Sequence, residues 1–119
     1  SDTTKLHKTV FRPWGYYTCM NSGEGYLTKT ICVMPKQKLS IQSHNHRSEH
    51  WVVLEGTALV LKDGKEYNVY QGDSIEIPVG CKHSLQNPYE NELKIIEVQK
   101  GDYLSEDDII RYEDCYGRV

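Results

Sequence analysis

Within the run Gln42-Ser43-His44-Asn45-His46-Arg47-Ser48-Glu49-His50-Trp51, two imidazoles stand two residues apart and a carboxylate follows them. Side chains alternate between the faces of a β-strand, so His44 and His46 are expected to share one face, and Gln42 to share it with them. A second segment carries Gly72, Pro78, Gly80, His83 and Asn87 at the spacing G-x5-P-x-G-x2-H-x3-N, which brings another histidine from a distant strand. Zinc, iron and manganese all accept imidazole and carboxylate ligands. His44, His46, Glu49 and His83 are therefore the expected metal ligands, a set suited to activating water, oxygen or a bound carbonyl. A lone histidine is more often structural than ligating, but the shared face and the second segment together favour a metal.

The elements that must position these groups read as short strands. Residues 26–34 are mostly β-branched, aromatic or otherwise strand-compatible, and Pro35 ends the run. Further strands are expected over 39–46, 49–55 and 57–61, with Asp63-Gly64 as a hairpin turn. Stretches 67–70, 74–77, 83–86 and 93–99 complete a spacing that argues for a sandwich or barrel. Around Pro13 and Gly15, Phe11, Trp14, Tyr16 and Tyr17 are expected to form an entry turn whose rings cap the core. Ser105 and Asp108 stand as N-cap and first-turn acid, with Leu104 and Ile109 as a hydrophobic staple, which predicts a short helix reaching about residue 112 or 113 and a tail folded over the barrel. Residues 1–10 are expected to be a flexible tail, with one domain over 11–119. The chain does not begin with Met, which suits an excised domain. Both faces of Trp51-Val52-Val53-Leu54 are apolar, so the outside of that sheet is expected to be covered, as in a homodimer.

At 119 residues the chain can bury a single core without staples. With 38% hydrophobic and 26% charged residues it carries neither a disorder signature nor an apolar run long enough for a bilayer, and no signal peptide is visible, so a cytoplasmic protein is expected. Its net charge of −3 offers no general field for nucleic acid or anionic lipid, and any phosphate must meet locally placed Lys or Arg. Cys19, Cys32, Cys81 and Cys115 contain no C-x-x-C pair and read as free thiols.

The two histidine segments resemble the motifs of the cupin superfamily, in which H-x-H is followed by a glutamate, six residues and a glycine. Glu49 to Gly56 keeps that last spacing, while His46 and Glu49 are one residue closer than the common pattern, and Lys38 stands where a glycine normally opens the motif. A more specific resemblance covers Phe11 to Arg118. Arg12-Pro13-Trp14-Gly15, Leu39-Ser40-Ile41-Gln42, His46-Arg47-Ser48-Glu49-His50-Trp51, Ile96-Glu97-Val98-Gln99 and the tail from Tyr103 are similar to type II mannose-6-phosphate isomerase. That family's cupin is the carboxy-terminal domain of a bifunctional protein whose larger domain is a mannose-1-phosphate guanylyltransferase, and nothing in the sequence resembles the latter. A glycine common in the family after Pro35 is Lys36 here, a departure expected to affect only a turn.

The resemblance implies an all-β fold, a single cupin (a double-stranded β-helix or jelly-roll barrel), with the predicted short C-terminal helix appended. It also implies a metal-dependent interconversion of mannose 6-phosphate and fructose 6-phosphate, supplying mannose phosphates for GDP-mannose and polysaccharide synthesis. The metal is expected to be zinc, with manganese, cobalt, iron or nickel as alternatives. Such a reaction passes through an enediol-like intermediate and needs a base, an electrophile and a phosphate anchor. Glu97, in strand phase with Leu93 and Ile95, and Lys29 are candidate bases, and Arg47 is expected to serve the substrate from a turn beside the metal strand. Gln42 is a further ligand or a partner for a sugar hydroxyl, and Arg47, Lys29, Arg111 and Arg118 are candidate phosphate groups, because guanidinium pairs bidentately with phosphate oxygens. Two readings compete with the isomerase: a non-catalytic sugar-binding or regulatory cupin that partners a guanylyltransferase, and a small iron-dependent oxygenase, which leaves Arg47 and the basic tail unexplained.

Overall fold

A computed structural model describes residues 6–117. In chain order the strands are β1 (Thr9–Arg12), β2 (Gly15–Gly23), β3 (Tyr26–Val33), β4 (Gln37–Lys38), β5 (Ile41–Ser43), β6 (Arg47–Glu55), β7 (Ala58–Lys62), β8 (Lys65–Val69), β9 (Ser74–Ile77), β10 (His83–Asn87), β11 (Leu93–Gly101) and β12 (Ile110–Glu113). One sheet runs β1-β2-β3-β11-β6-β9 and the other β12-β5-β10-β7-β8, with β4 beside β10. The strand pairings are antiparallel, and the two sheets enclose one core, the jelly-roll arrangement of a cupin.

Alternation decides what lies inside. Along β11, Leu93, Ile95, Glu97 and Gln99 are buried in turn, and β3 does the same with Leu27, Lys29, Ile31 and Val33. On β6 the inward set is Arg47, Glu49, Trp51 and Val53. The register places Val33 opposite Leu93, and Lys29 and Trp51 on either side of Glu97. One end of the barrel is thus filled by Val33, Val53, Val60, Leu93 and Ile95, while toward the other end charged groups replace aliphatic ones. Burying those charges is tolerable only when they are paired or bound, so the polar end is where chemistry is expected.

Several expectations need correction. The chain joins the fold before residue 11: Leu6 bridges to Cys19, the His7 amide donates to the Cys19 carbonyl at 2.7 Å, and β1 begins at Thr9. The aromatic segment is the turn of a β1-β2 hairpin, in which Trp14 and Tyr17 are buried but Phe11 stays 74% exposed against the Tyr16 ring. The strand expected over 39–46 is regular only at Ile41–Ser43. No helix begins at Ser105. A single turn forms there, with the Asp108 amide donating to the Ser105 carbonyl at 3.1 Å, and the chain then runs as β12 against β5. Eight residues make a marginal helix in isolation, and the edge of β5 offers backbone pairing instead. The tail does fold back, placing Tyr116 against the core and its hydroxyl on Gln37.

Lys36 holds φ at 66°, the left-handed region a glycine adopts without penalty, so the substitution at this position does fall in a turn. At the polar end of the barrel, Gly101 lies opposite Arg47, and a Cβ on it would collide with the His46 carbonyl and stand 2.9 Å from the Arg47 Cα. On the outer face of β6, Val52 is half-buried and Leu54 is 36% exposed within the single chain. No disulfide joins the four cysteines, three of which are buried. Among the described residues no helix is long and apolar enough to cross a membrane.

Candidate metal centre and its cavity

His44, Glu49 and His83 converge at the polar end, with one ligand atom from each lying within 4.8 Å of the others. All three are buried. Glu49 points inward from β6, His83 from the start of β10, and His44 from the residue just after β5, across from which β10 pairs through Gln42 and His83. The His44 and His83 ring centroids are 5.1 Å apart, and the Trp51 ring meets His83 edge-on at 5.6 Å.

Each imidazole is fixed through its other nitrogen. His83 Nδ1 lies 2.9 Å from the Cys81 carbonyl and His44 Nδ1 lies 2.6 Å from the Asp108 carbonyl. A carbonyl can only accept, so both Nδ1 atoms carry the proton and both Nε2 atoms keep a lone pair, the tautomer a metal ligand needs. His83 Nε2 is buried without a hydrogen-bond partner among the described residues. Such an orphaned acceptor is costly unless something electron-poor meets it, and a cation does. Burial, and then the positive charge of Arg47, pushes the His44 pKa down to about 4, and burial lowers that of His83, so both rings are neutral at neutral pH. Two neutral imidazoles and a carboxylate fit a divalent metal such as zinc, manganese or iron.

His46 is not part of this cluster. It is half-exposed, with Nδ1 3.6 Å from an Asp102 carboxylate oxygen and its ring edge-on to Tyr103. The chain leaves β5 at Ser43 and bends through Asn45 and His46 before β6 starts, so the two-residue period that would align the histidines is broken. Asp108 holds that bend: its carboxylate accepts the backbone amides of Asn45 and His46, each at 2.9 Å. Measured back from Glu49, His44 leaves four intervening residues and takes the second position of the H-x-H motif, which sets buried Gln42 at the first.

Arg47 lies inside the barrel rather than on a turn at its mouth. It is the first residue of β6, 6% exposed, with Nε on Glu49 Oε2 at 2.8 Å, one terminal nitrogen 3.3 Å from His44 Nε2 and another on the Ser105 carbonyl at 3.3 Å. The Trp51 indole N–H donates to both Glu49 Oε1 at 3.0 Å and Glu97 Oε1 at 3.1 Å, and the Gln99 amide donates to Glu97 Oε2 at 2.7 Å. Burial, followed by the nearby charge of Glu49, raises the Glu97 pKa to about 7. Lys29 sits against Glu106 at 2.8 Å and over the Tyr17 ring at 4.3 Å. Burial pulls its pKa down, but Glu106 and Glu97 outweigh burial and raise it, so Lys29 stays an ammonium and is no base.

Lys29, His44, Arg47, Glu49, Trp51 and Glu97 line a cavity of about 80 Å³ that also takes in Arg12, Tyr17, Gln42, Glu106 and Arg111. That space suits an ion and a few waters, and a hexose phosphate must enter it by one end. Arg118 lies outside the described residues. Reading the sequence alone missed Arg12, Glu106 and Asp108 as parts of the site. The first stands in the Arg12-Pro13-Trp14-Gly15 run, Asp108 reads as the first-turn acid of a helix, and no spacing sets Glu106 apart from the neighbouring acids.

Comparison with known proteins bears on all of this. The family described as "Mannose-6-phosphate isomerase C-terminal" matches residues 1–114. The chain is 49% identical over 114 residues to the mannose-1-phosphate guanylyltransferase ManC of Salmonella typhimurium, covering 96% of this chain and 24% of that protein. To the alginate biosynthesis protein AlgA of Pseudomonas aeruginosa it is 48% identical, covering 98% and 24%. It therefore spans about a quarter of the length of the curated relatives it matches. Among solved structures, the capsular polysaccharide assembling protein CapF of Staphylococcus aureus superposes with a TM-score of 0.79 at 16% identity, over 94% of this chain and 34% of that one. The cupin domain of Cnp3 from Schizosaccharomyces pombe does so with a TM-score of 0.70 at 11% identity, over 73% and 64%.

Proposed function

Because the chain belongs to the mannose-6-phosphate isomerase C-terminal family, we propose that it interconverts mannose 6-phosphate and fructose 6-phosphate with a divalent metal held by His44, Glu49 and His83. The observation that carries this reading is the orphaned His83 Nε2, buried and aimed at the same point as the lone pair of His44 and the carboxylate of Glu49. Held by His44, Glu49 and His83, a divalent cation would supply Lewis-acid polarisation of the sugar carbonyl and offset the negative charge that grows on its oxygen.

Glu97 is the group that moves the proton. Without metal, burial and the Glu49 charge push its pKa up to about 7, and its place in the cavity lets it take a proton from C2 of the aldose and return it to C1 of the ketose. Its two carboxylate oxygens are aimed by the Trp51 indole and the Gln99 amide, so the side chain is oriented before substrate arrives. Lys29, opposite Glu97 in the strand register, supplies fixed positive charge beside an intermediate that is electron-rich. The half-buried and buried walls from Tyr17, Trp51 and Ile109 limit water at the reacting carbons. Relatives named for alginate and xanthan biosynthesis support a place where mannose phosphates feed polysaccharide precursors.

Steady-state assay of the chain, stripped of metal and then reloaded with zinc, manganese or cobalt, tests the proposal. Activity should vanish on stripping and return on reloading. Glu97→Gln should lower kcat by about 10²–10⁴-fold while metal content is kept. Full activity in Glu97→Gln, or metal-dependent activity unchanged in His83→Ala, contradicts it.

A further inference from the structure

The cavity is lined by four cationic side chains, and they fall into two kinds. Lys29 and Arg47 are each committed to a carboxylate, Glu106 and Glu49 respectively, at 2.8 Å. Arg12 and Arg111 make no ion pair among the described residues, yet both face the same space. Arg12 donates only to the Phe11 carbonyl at 3.1 Å and, at 3.5 Å, to the Tyr17 hydroxyl, which itself donates to Glu106 at 3.3 Å. The Arg111 Nε is buried and, among the described residues, has no hydrogen-bond partner. A guanidinium nitrogen sealed from water with nothing to donate to is costly to keep, and an anion oxygen is what it lacks.

Their placement fits the substrate's polarity. Arg111 stands in register with Gln42, whose other cross-strand neighbour is His83, so the Arg111 strand borders the metal ligands across the second sheet. Arg12 ends β1 on the edge of the first sheet. The two guanidiniums therefore come from different sheets and reach one cavity. A cavity of about 80 Å³ cannot take in a whole hexose phosphate. If the reacting carbons lie at the buried carboxylates, the phosphate remains outside them, near the partly exposed cations. A dianion there accepts from both forks, and guanidinium pairs bidentately with phosphate oxygens.

The geometry points to Arg12 and Arg111 as a two-sided clamp for a phosphate monoester dianion, the group by which the sugar is held. The clamp rests on the sugar-phosphate reading above but uses residues separate from the metal ligands and from Glu97.

Arg12→Gln, Arg111→Gln and the double variant test it with three probes: inorganic phosphate, mannose 6-phosphate and unphosphorylated mannose. Binding is read by calorimetry and metal affinity by chelator competition. Each single variant should bind inorganic phosphate and mannose 6-phosphate at least about tenfold more weakly, and the double variant more weakly still, with zinc affinity unchanged. In turnover, KM should rise with kcat held within a few-fold, because an anchor acts on ground state and transition state alike. Arg12 is exposed and its replacement leaves the core intact, so the clamp stays testable even if Arg111→Gln perturbs β12. Unchanged phosphate affinity in the double variant, or a wild-type chain that binds no phosphate at millimolar concentration, overturns the clamp even where isomerisation persists. Phosphate binding that the variants lose, in a wild-type chain that turns nothing over, upholds the clamp and removes the isomerase reading instead.

Discussion

Arg47 is a buried cation whose partner is a buried carboxylate, and that pairing decides what its loss does. Arg47→Met removes the charge that compensates Glu49, and stranding a buried carboxylate costs about 3–5 kcal/mol. The expected outcome is a large fall in thermal stability measured without metal. A stable variant whose only defect is a raised KM would instead restore the substrate role that its position beside His46 suggests in the sequence. The sequence was legible here in residue types but not in direction. His44, Glu49 and His83 were all identifiable, because ligand chemistry restricts the choice to a few side chains. His46 misled because period-two reasoning presumes an unbroken strand, and the bend at Asn45 is fixed by Asp108, sixty-two residues beyond His46 in the chain. Arg47 misled for the same reason: whether a residue next to a bend faces in or out depends on the bend.

At the scale of elements, the segment from Ser105 to Arg111 acts as a strap that brings three side chains to the site. Glu106 holds Lys29, Asp108 holds His44 and its bend, and Arg111 lines the cavity. Asp108→Asn keeps the shape but turns one acceptor of a backbone amide into a donor, loosening the bend that orients His44. Metal affinity is expected to fall about 10–100-fold with the β-sheet circular dichroism spectrum unchanged, as for other groups that orient a ligand from behind. Unaltered affinity would show that the Asp108 backbone carbonyl alone suffices. The strap was read in the sequence as a capped helix, since its local signals, hydroxyl, acid and staple, are those of a helix start. They did produce one turn. What the sequence could not show is that the Asp108 side chain is spent on Asn45 and His46, and that β5 has an open edge for β12 to fill. By contrast β3, β9 and β11 were legible almost to the residue, because each alternates between a buried and a solvated face or ends at a proline or glycine.

For the molecule as a whole, apolar packing at one end of the barrel supports buried charge at the other, and the two charge states oppose each other with pH. His44 has a folded pKa of about 4, below its ordinary 6.5, so the stability it contributes is complete above pH 6.5 and is lost as pH falls toward 4. Glu97 has a folded pKa of about 7, above its ordinary 4.5, so its contribution is complete below pH 4.5 and is lost as pH rises through 7. Without metal Glu97 opposes His44 between pH 6.5 and 4.5, while His83, also lowered by burial, acts in the same direction as His44. Glu97→Gln removes the opposing contribution, and denaturant titrations of that variant should show stability falling on acidification by about 3 kcal/mol more than in the wild type. Parallel curves for the two proteins would show that these groups do not govern the acid response. The fold class and the family were legible from the sequence because many short motifs agree at once, whereas the one-ended polarity of the core depends on the strand register between β3, β11 and β6, which no local pattern reveals.

The proposed isomerisation moves a proton between adjacent carbons of a phosphosugar under metal control, and proton NMR of mannose 6-phosphate in deuterated water reads that step directly. With the zinc-loaded chain, signals of fructose 6-phosphate should grow while deuterium from solvent enters at the carbons that exchange the proton, and both should stop on chelation and in Glu97→Gln. A folded chain with its metal bound that leaves mannose 6-phosphate unconverted and unlabelled would be no isomerase but a sugar-phosphate-binding cupin.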